Sequence, residues 1–354
     1  MISSSNTILL TGAAGWLGTG LVRGLLEGLH DVETLKDIPA DRRLRILVRP
    51  EEDSQAIQEF GSRIDRVEGD IRDPEACRRF VDAQRGAVLI HVAGVIHPRS
   101  SREFDAVNHV GTRNLLDAAS NAGIGRFVAM SSNSPCGNNP HGDHRFDEFS
   151  PYNPYMGYGR SKMRMEMAVK EYQESHRINA VIIRAPWFYG PYQPPRQTLF
   201  FRMVRDGKAP IVGGGHGLRS MAYMENLVQG LILAAFHPKA NGQIYWIADD
   251  RPYSMNEIVD TIERLLHEEF GESVKGTRLR LPGITSEIAG LIDASIQAVG
   301  LYHQKFHVLS EMNKTIACKV DKARTELQYH PSISLEEGMR RSLKWVYNNY
   351  GGLD

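Results

Sequence analysis

Three cysteines in 354 residues, Cys77, Cys136 and Cys318, are too few and too scattered for a disulfide framework. A reducing compartment, the cytoplasm, is the expected location. Surplus charge is missing as well: 42 Lys and Arg stand against 42 Asp and Glu. Bulk charge therefore draws the chain to neither nucleic acid nor an anionic membrane. No apolar run reaches the ~20 residues of a membrane span. No signal peptide is expected, because MISSSNTILL has neither a positive start nor an apolar core before it runs into a strand. Repeats and low-complexity tracts are also lacking.

What is present is an alternation. Short apolar runs recur at Ile8–Leu10, Leu44–Val48, Ile64–Val67, Val88–Val92, Arg126–Met130 and Val181–Ile183. Amphipathic stretches such as Glu103–Ala122 and Tyr155–Ser175 lie between them. Continuous Val/Ile/Leu strands alternating with helices predict a doubly wound α/β fold, a parallel sheet covered on both faces. The polar segment Gly28–Arg43 reads as a surface insertion. After Arg184, Pro186, Pro191, Pro194 and Pro195 break the rhythm, and Gly213-Gly214-Gly215 break it again. Helical runs follow at Leu227–Ala235, Met255–Glu268, Thr285–Val299 and Leu335–Tyr347. The expected division is a dinucleotide-binding domain at 1–185, with 226–248 adding to it, and a smaller, mostly helical substrate lobe at 186–354.

Thr11-Gly12-Ala13-Ala14-Gly15-Trp16-Leu17-Gly18 follows the first strand and opens a helix, the context a dinucleotide turn requires. Gly12 permits the turn, Gly15 the approach of a pyrophosphate, and Gly18 the packing of helix on strand. The helix N-terminus offers unpaired N–H groups to phosphates. The second strand ends at Arg49, where a carboxylate would mark NAD; an arginine suits the 2′-phosphate of NADP. NADP or NAD is the expected cofactor, with NADP ahead.

"YGRSK" places Tyr158 and Lys162 on one helical face. A phenol of pKa about 10 is a poor base, and a neighbouring ammonium favours its phenolate. "AMSSNSPCG" at the end of the fifth strand offers Ser131, Ser132 and Ser134 as hydroxyl donors.

Together these residues resemble the extended short-chain dehydrogenases/reductases, in their NAD(P)-dependent epimerase/dehydratase branch. The resemblance runs through "TGAAGWLG", "GDIRD", "HVAG", "NHVGTRNLLDAA", "RFVAMSSNSPCG", "YGRSK", "RAPWFYGP" and "KARTELQYHPSISLEEGM", nearly the whole chain. It implies Ser132, Tyr158 and Lys162 as the catalytic residues. It implies cofactor contacts from Gly12, Ala14, Gly15, Trp16, Leu17 and Gly18 in the turn. Arg49, Asp70, Ile71, Val92, Ala93 and Gly94 would add contacts from the next loops, and Tyr158, Lys162, Pro186 and Phe188 would meet the nicotinamide half. Asn108 would be structural. Substrate would meet Ser134, Trp187 and Arg219. The resemblance further implies a homodimer paired through Glu103–Ala122 and Tyr155–Ser175.

The family's chemistry is hydride transfer at a carbinol carbon, commonly of a nucleotide sugar. Dehydratase- and decarboxylase-like members carry an acid just after the serine; here Asn133 and Ser134 stand there, and neither serves as an acid/base. A nucleotide-sugar epimerase, acting at carbon 4 through a transient keto sugar, is the first expectation. A ketoreductase or dehydrogenase on a keto sugar or a 3β-hydroxysteroid-like alcohol is the second, and a non-catalytic NADPH sensor the third. Arg219 stands where relatives hold a pyrophosphate. Trp187 replaces a substrate-binding Asn, and the second phosphate arginine before Lys319 is missing, with only Lys314 nearby. Cys136 reads as packing or pocket lining. "HGDH" holds His141 and His144 three apart without a third ligand, so no metal is expected. Ile288, Leu291, Ile292, Ile296 and Val299 form an apolar stripe. That stripe is expected to pack on the small lobe, a lid or a membrane-surface contact being the other readings.

Overall fold

The computed structural model describes residues 7–354; residues 1–6, which open the stretch read as lacking a signal peptide, lie outside the described residues. The chain runs β1 (Thr7–Thr11), α1 (Trp16–Leu26), β2 (Arg43–Val48), α2 (Gln55–Glu59), β3 (Ile64–Glu68), α3 (Pro74–Val81) and β4 (Val88–His91). It continues through α4 (Thr112–Ala122), β5 (Arg126–Met130), α5 (Met156–Glu174) and β6 (Ala180–Arg184). A seventh strand, Ile244–Trp246, pairs with β6, and the sheet order is Ile244–Trp246, β6, β5, β4, β1, β2, β3, all parallel. This is the doubly wound sheet that the alternation predicts.

Residues 8–10 of β1 show why the strands are apolar throughout. Ile8 and Leu10 enter one core with Leu21, Leu25, Val228 and Ile232, while Leu9 points to the other with Phe80, Leu115 and Met165. Both faces are covered, so neither set of alternate positions can be polar. One single-turn helix, Glu33–Leu35, marks the insertion at 28–43, where Leu29 and Leu35 are buried against the first core.

Beneath the ends of β5 and β6 lies a buried ion pair. Glu166 of α5 and Arg184 of β6 are both fully buried, with Nη2 2.7 Å from Oε2. Ser131 Oγ donates to the same carboxylate at 2.6 Å and Tyr152 Oη at 2.9 Å. Every free lone pair of the anion is thereby engaged, which is what makes burying it tolerable.

The C-terminal part has its own core around Phe201, Ile211, Ile258, Ile262, Leu265 and Leu343. Its helices Met255–Glu268 and Leu335–Tyr350 start at "SMNE" and "SLEE": Ser254 accepts from Glu257 N at 3.1 Å and Ser334 from Glu337 N at 3.3 Å. Both are serine N-caps. The lobe also holds short strand pairs, among them Trp187–Tyr189 with Met221–Tyr223 and Leu218–Arg219 with Tyr253–Ser254. Among the described residues, no helix is long and apolar enough to cross a membrane.

Two elements differ from expectation. The stretch 103–122 is not one α-helix: Phe104–Gly111 is wound as a π-helix before α4 begins. The stripe on 285–299 does not pack on the lobe. Helix Ile284–Ala298 exposes Ile288, Leu291 and Ile292, with Val299 just beyond, and leaves Ile296 only half-buried. Its inward face is polar: Ser286 Oγ donates to Leu309 O at 3.0 Å, and Asp293 accepts from His307 and Gln297. Hydrogen bonds to the adjoining helix Gln304–Glu311 set the helix rotation, and the apolar side is left to solvent.

Candidate active site

The glycine turn is shaped by close backbone approach. Gly12 sits at φ +77°, and a Cβ there would lie 2.6 Å from Ala93 N. A Cβ on Gly18 would come within 2.7 Å of Ala13 Cα. Gly15 caps α1 in extended conformation and, being glycine, places no side chain of its own at that terminus. A bare helix N-terminus at the C-terminal edge of a parallel sheet is a fit for a dinucleotide pyrophosphate. Ala14 is half-buried and Leu17 buried. The Trp16 indole donates to Pro191 O at 2.7 Å and lies 4.7 Å from Phe188, ring to ring. The turn therefore meets the segment after β6, where Pro186 is buried beside the half-buried Phe188.

On the other side, Arg49 leaves β2 half-exposed, paired with Glu52 at 2.8 Å and Glu51 at 3.1 Å. Asp70 follows β3 and accepts from Arg72 N at 2.8 Å and Arg72 Nε at 3.0 Å. Burial pushes its carboxyl up, but the Arg72 bonds outweigh burial and hold it below the usual carboxylate range. Ile71 is buried. Val92, Ala93 and the exposed Gly94 continue β4 past Gly12. His91, just before them, is clamped between Thr11 Oγ1 at 2.7 Å and Thr112 Oγ1 at 2.9 Å. Burial, then Lys162, pushes it down to about 3, so it is neutral.

Of the three residues read as catalytic, Tyr158 is hydrogen-bonded with Ser132, and Lys162 lies one turn further along α5. Ser132 Oγ lies 3.2 Å from Ser134 Oγ and accepts from Ser134 N at 3.3 Å. Burial raises the Tyr158 phenol to about 12, while its hydrogen bond with Ser132 works in the opposite direction. Lys162 Nζ donates to Met130 O at 2.6 Å, and burial lowers it to about 8. Asn108 braces the floor: Oδ1 accepts from Val95 N at 2.8 Å, and Nδ2 donates to Val95 O and Ser161 Oγ, both at 3.0 Å. Ser131 is turned away, onto Glu166.

On the substrate side, the buried Arg219 lies over the half-buried Trp187, Cζ 4.4 Å from the ring centroid. Its Nη2 donates to Glu311 O, and its Nε has no partner. Lys314 pairs instead with Glu287. Cys136 is buried, its thiol pushed up to about 11 by burial. His144 is engaged by Asn139, Nδ2 to Nδ1 at 2.8 Å, and packs edge-on against Phe146.

Sequence reasoning missed a cap of aromatic and histidine side chains packed around Tyr158. Phe104 packs 5.9 Å from Tyr158 and edge-on at 5.4 Å to Tyr302, ring to ring. Tyr302 Oη lies 2.8 Å from His97 Nδ1. His307 Nδ1 is 2.9 Å from Asp293 Oδ2, and the bond to Asp293 raises the imidazole pKa despite burial. Burial pushes His97 down to about 4. The same cap holds the start of α5: Met156 has φ +51°, flanked by Tyr155 Oη donating to Ser310 Oγ at 2.6 Å and Gly157 N to Gln297 Oε1 at 3.0 Å. His97 and Tyr302 are 205 positions apart, so no local pattern announces them.

A family model described as the NAD dependent epimerase/dehydratase family matches residues 8–248. The Sinorhizobium fredii (strain NBRC 101917 / NGR234) protein y4nL is 52% identical, over 97% of this chain and 95% of its own. The mouse dTDP-D-glucose 4,6-dehydratase is 27% identical, over 98% and 90%. Among solved structures, the UDP-glucose 4-epimerase of Thermotoga maritima with UDP-glucose superimposes with a TM-score of 0.74 at 19% identity, covering 97% of this chain and 99% of that one. At that identity the likeness establishes the fold.

Proposed function

Because this chain belongs to the NAD dependent epimerase/dehydratase family, and so to the extended short-chain dehydrogenases/reductases, we propose that this enzyme is a nucleotide-sugar epimerase that inverts carbon 4 through a transient keto sugar. The observation that carries this reading is the hydrogen bond of Tyr158 with Ser132, one helical turn before Lys162, with neutral side chains, Asn133 and Ser134, at the two positions after the serine. Simple redox at one carbon needs a base and a hydroxyl donor; elimination of water needs a further acid.

The bound nicotinamide dinucleotide supplies hydride acceptance and return. Gly12, Gly15 and Gly18 admit its phosphates, and Asp70 and Ile71 meet its adenosine. Tyr158 takes the proton of the sugar hydroxyl, Ser132 holds the oxygen, and the Lys162 ammonium favours the phenolate. After the keto sugar turns over in the pocket, Tyr158 gives the proton back. Arg219, buried on Trp187 with a free Nε, takes the diphosphate, and Ser134 adds a hydroxyl beside the sugar.

NADP is the preferred dinucleotide in this reading. Arg49 pairs with carboxylates of its own loop, Glu51 and Glu52, which a 2′-phosphate displaces; NAD leaves them in place. Residues 1–185 with 226–248 form the cofactor part and 186–354 the substrate part. The enzyme works in the cytoplasm as a homodimer. The exposed Val110, beside α4, and Met167 of α5 support pairing of that face.

The second reading, a ketoreductase, uses the same residues but exchanges cofactor each turn. Mass spectrometry of what the denatured protein releases separates the two. Stoichiometric dinucleotide supports the epimerase and identifies the cofactor; an empty protein that binds NADPH supports the reductase. A non-catalytic sensor would lose nothing on Tyr158→Phe.

A further inference from the structure

Helix Ile284–Ala298 is turned inside out for a surface helix. Ser286, Asp293 and Gln297 face inward, while Ile284 is 66% exposed, Ile288 51% and Leu291 71%. Val299 and Leu301, both well over half exposed, extend the stripe past the helix end. Contiguous apolar surface of this kind marks a site of interaction. Of the two acids in the helix, Asp293 is buried and Glu287 is neutralised by Lys314.

Cations stand at both ends. Arg280 precedes the helix on the strand Leu279–Leu281. At the other end, Ser101 N donates to Gly300 O at 3.1 Å and Ser100 Oγ to the same oxygen at 3.0 Å, which brings Arg99 and Arg102 alongside. Lys305 opens the next helix. All four are exposed, and among the described residues none has an ion-pair partner. Arg340, by contrast, is enclosed by Glu269, Glu336 and Glu337.

We propose that this face seats the enzyme on an anionic lipid surface. An apolar helix side flanked by unpaired Arg and Lys is the composition that partitions into the headgroup boundary of an acidic bilayer. A second copy fits poorly. A two-fold contact brings the patch against itself, and with cations at both ends either alignment of the helices sets Arg and Lys against Arg and Lys. The inner side of the same helix walls the catalytic cleft, through Gln297 on Gly157 beside Tyr158. Seating therefore places that cleft next to the lipid headgroups.

The test uses the full chain with vesicles of phosphatidylcholine, with and without phosphatidylglycerol, read by co-sedimentation. Binding is expected only with phosphatidylglycerol, and it should weaken as salt is raised. Arg99→Gln with Arg102→Gln should weaken it by roughly thirtyfold in dilute salt. Ile288→Gln with Leu291→Gln should abolish it, with the melting temperature unchanged because both side chains are already in water. The proposal is overturned if the wild type ignores acidic vesicles, or if the Gln variants bind as it does. A dimer that forms with rising concentration and is lost in Leu291→Gln also overturns it, since a second copy then covers the face.

Discussion

The guanidinium of Arg219 lies over the Trp187 indole, Cζ 4.4 Å from the ring centroid, with its Nε unpartnered in a buried setting. Read singly from the sequence, Arg219 spoke for a phosphorylated substrate and Trp187 against one. The structure makes them one unit, in which the indole face supports a buried cation that donates to the Glu311 carbonyl and has the Glu311 carboxylate in range. A buried cation so placed is costly until an anion arrives. Replacing Arg219 with Met should raise KM for a nucleotide sugar by roughly ten- to hundredfold, with a smaller change in kcat. Thermal stability should hold or rise. An unchanged KM would remove Arg219 from the diphosphate.

Tyr158→Phe should lower kcat by roughly 10²–10⁴ while the affinity for dinucleotide stays within a few-fold. Burial holds Lys162 at about 8, so its ammonium is present below that pH and fades above it. Activity should therefore fall on the alkaline side near pH 8. Lys162→Arg, charged throughout, should move that fall upward if it retains turnover. Profiles of kcat/KM against pH for the two proteins check this.

Asp249 is buried, accepting from Tyr223 N at 2.8 Å, Asn226 Nδ2 at 2.8 Å and Tyr189 Oη at 2.9 Å. Burial lifts its carboxyl from 3.8 to about 7 despite those bonds. Between these values the folded protein keeps a proton that the unfolded chain releases. Stability should thus fall as pH rises from about 4 to about 7, by up to roughly 4 kcal/mol. Asp249→Asn keeps an acceptor without the charge. Urea unfolding at pH 5 and pH 8 should show the variant gaining over the wild type only at the higher pH.

Glu166→Ala should destabilise by ~3–5 kcal/mol, because it strands the buried Arg184 and frees the hydroxyls of Ser131 and Tyr152. Replacing Glu166 and Arg184 together by Leu and Met should cost less than Glu166→Ala alone. Equal losses would mean that the pair is not coupled.

The parts of the molecule legible in the sequence are those whose signals are local. β1, the turn Gly12–Gly18 and α1 announce themselves in order, because strand, glycine spacing and helix are contiguous. Tyr158 and Lys162 share a helix face by simple periodicity. The cap above the site was not legible. His97 finds Tyr302 across the whole chain, and Asp293 finds His307 across a helical hairpin. The same pairing misled the reading of 285–299: apolar periodicity gives the position of a stripe but not its direction. Asp293 and Gln297, buried by hydrogen bonds, turned that stripe outward. The π-helix at Phe104–Gly111 also escaped, since its residues carry ordinary helical patterning.

The most direct test of the central claim is proton NMR of UDP- and dTDP-hexoses incubated with the enzyme in D₂O. The account predicts interconversion of the carbon-4 epimers with no deuterium entering the sugar, because the hydride leaves and returns without meeting solvent. A 4-keto-6-deoxy sugar carrying solvent deuterium would contradict it, since elimination across carbons 5 and 6 exchanges a carbon-bound proton.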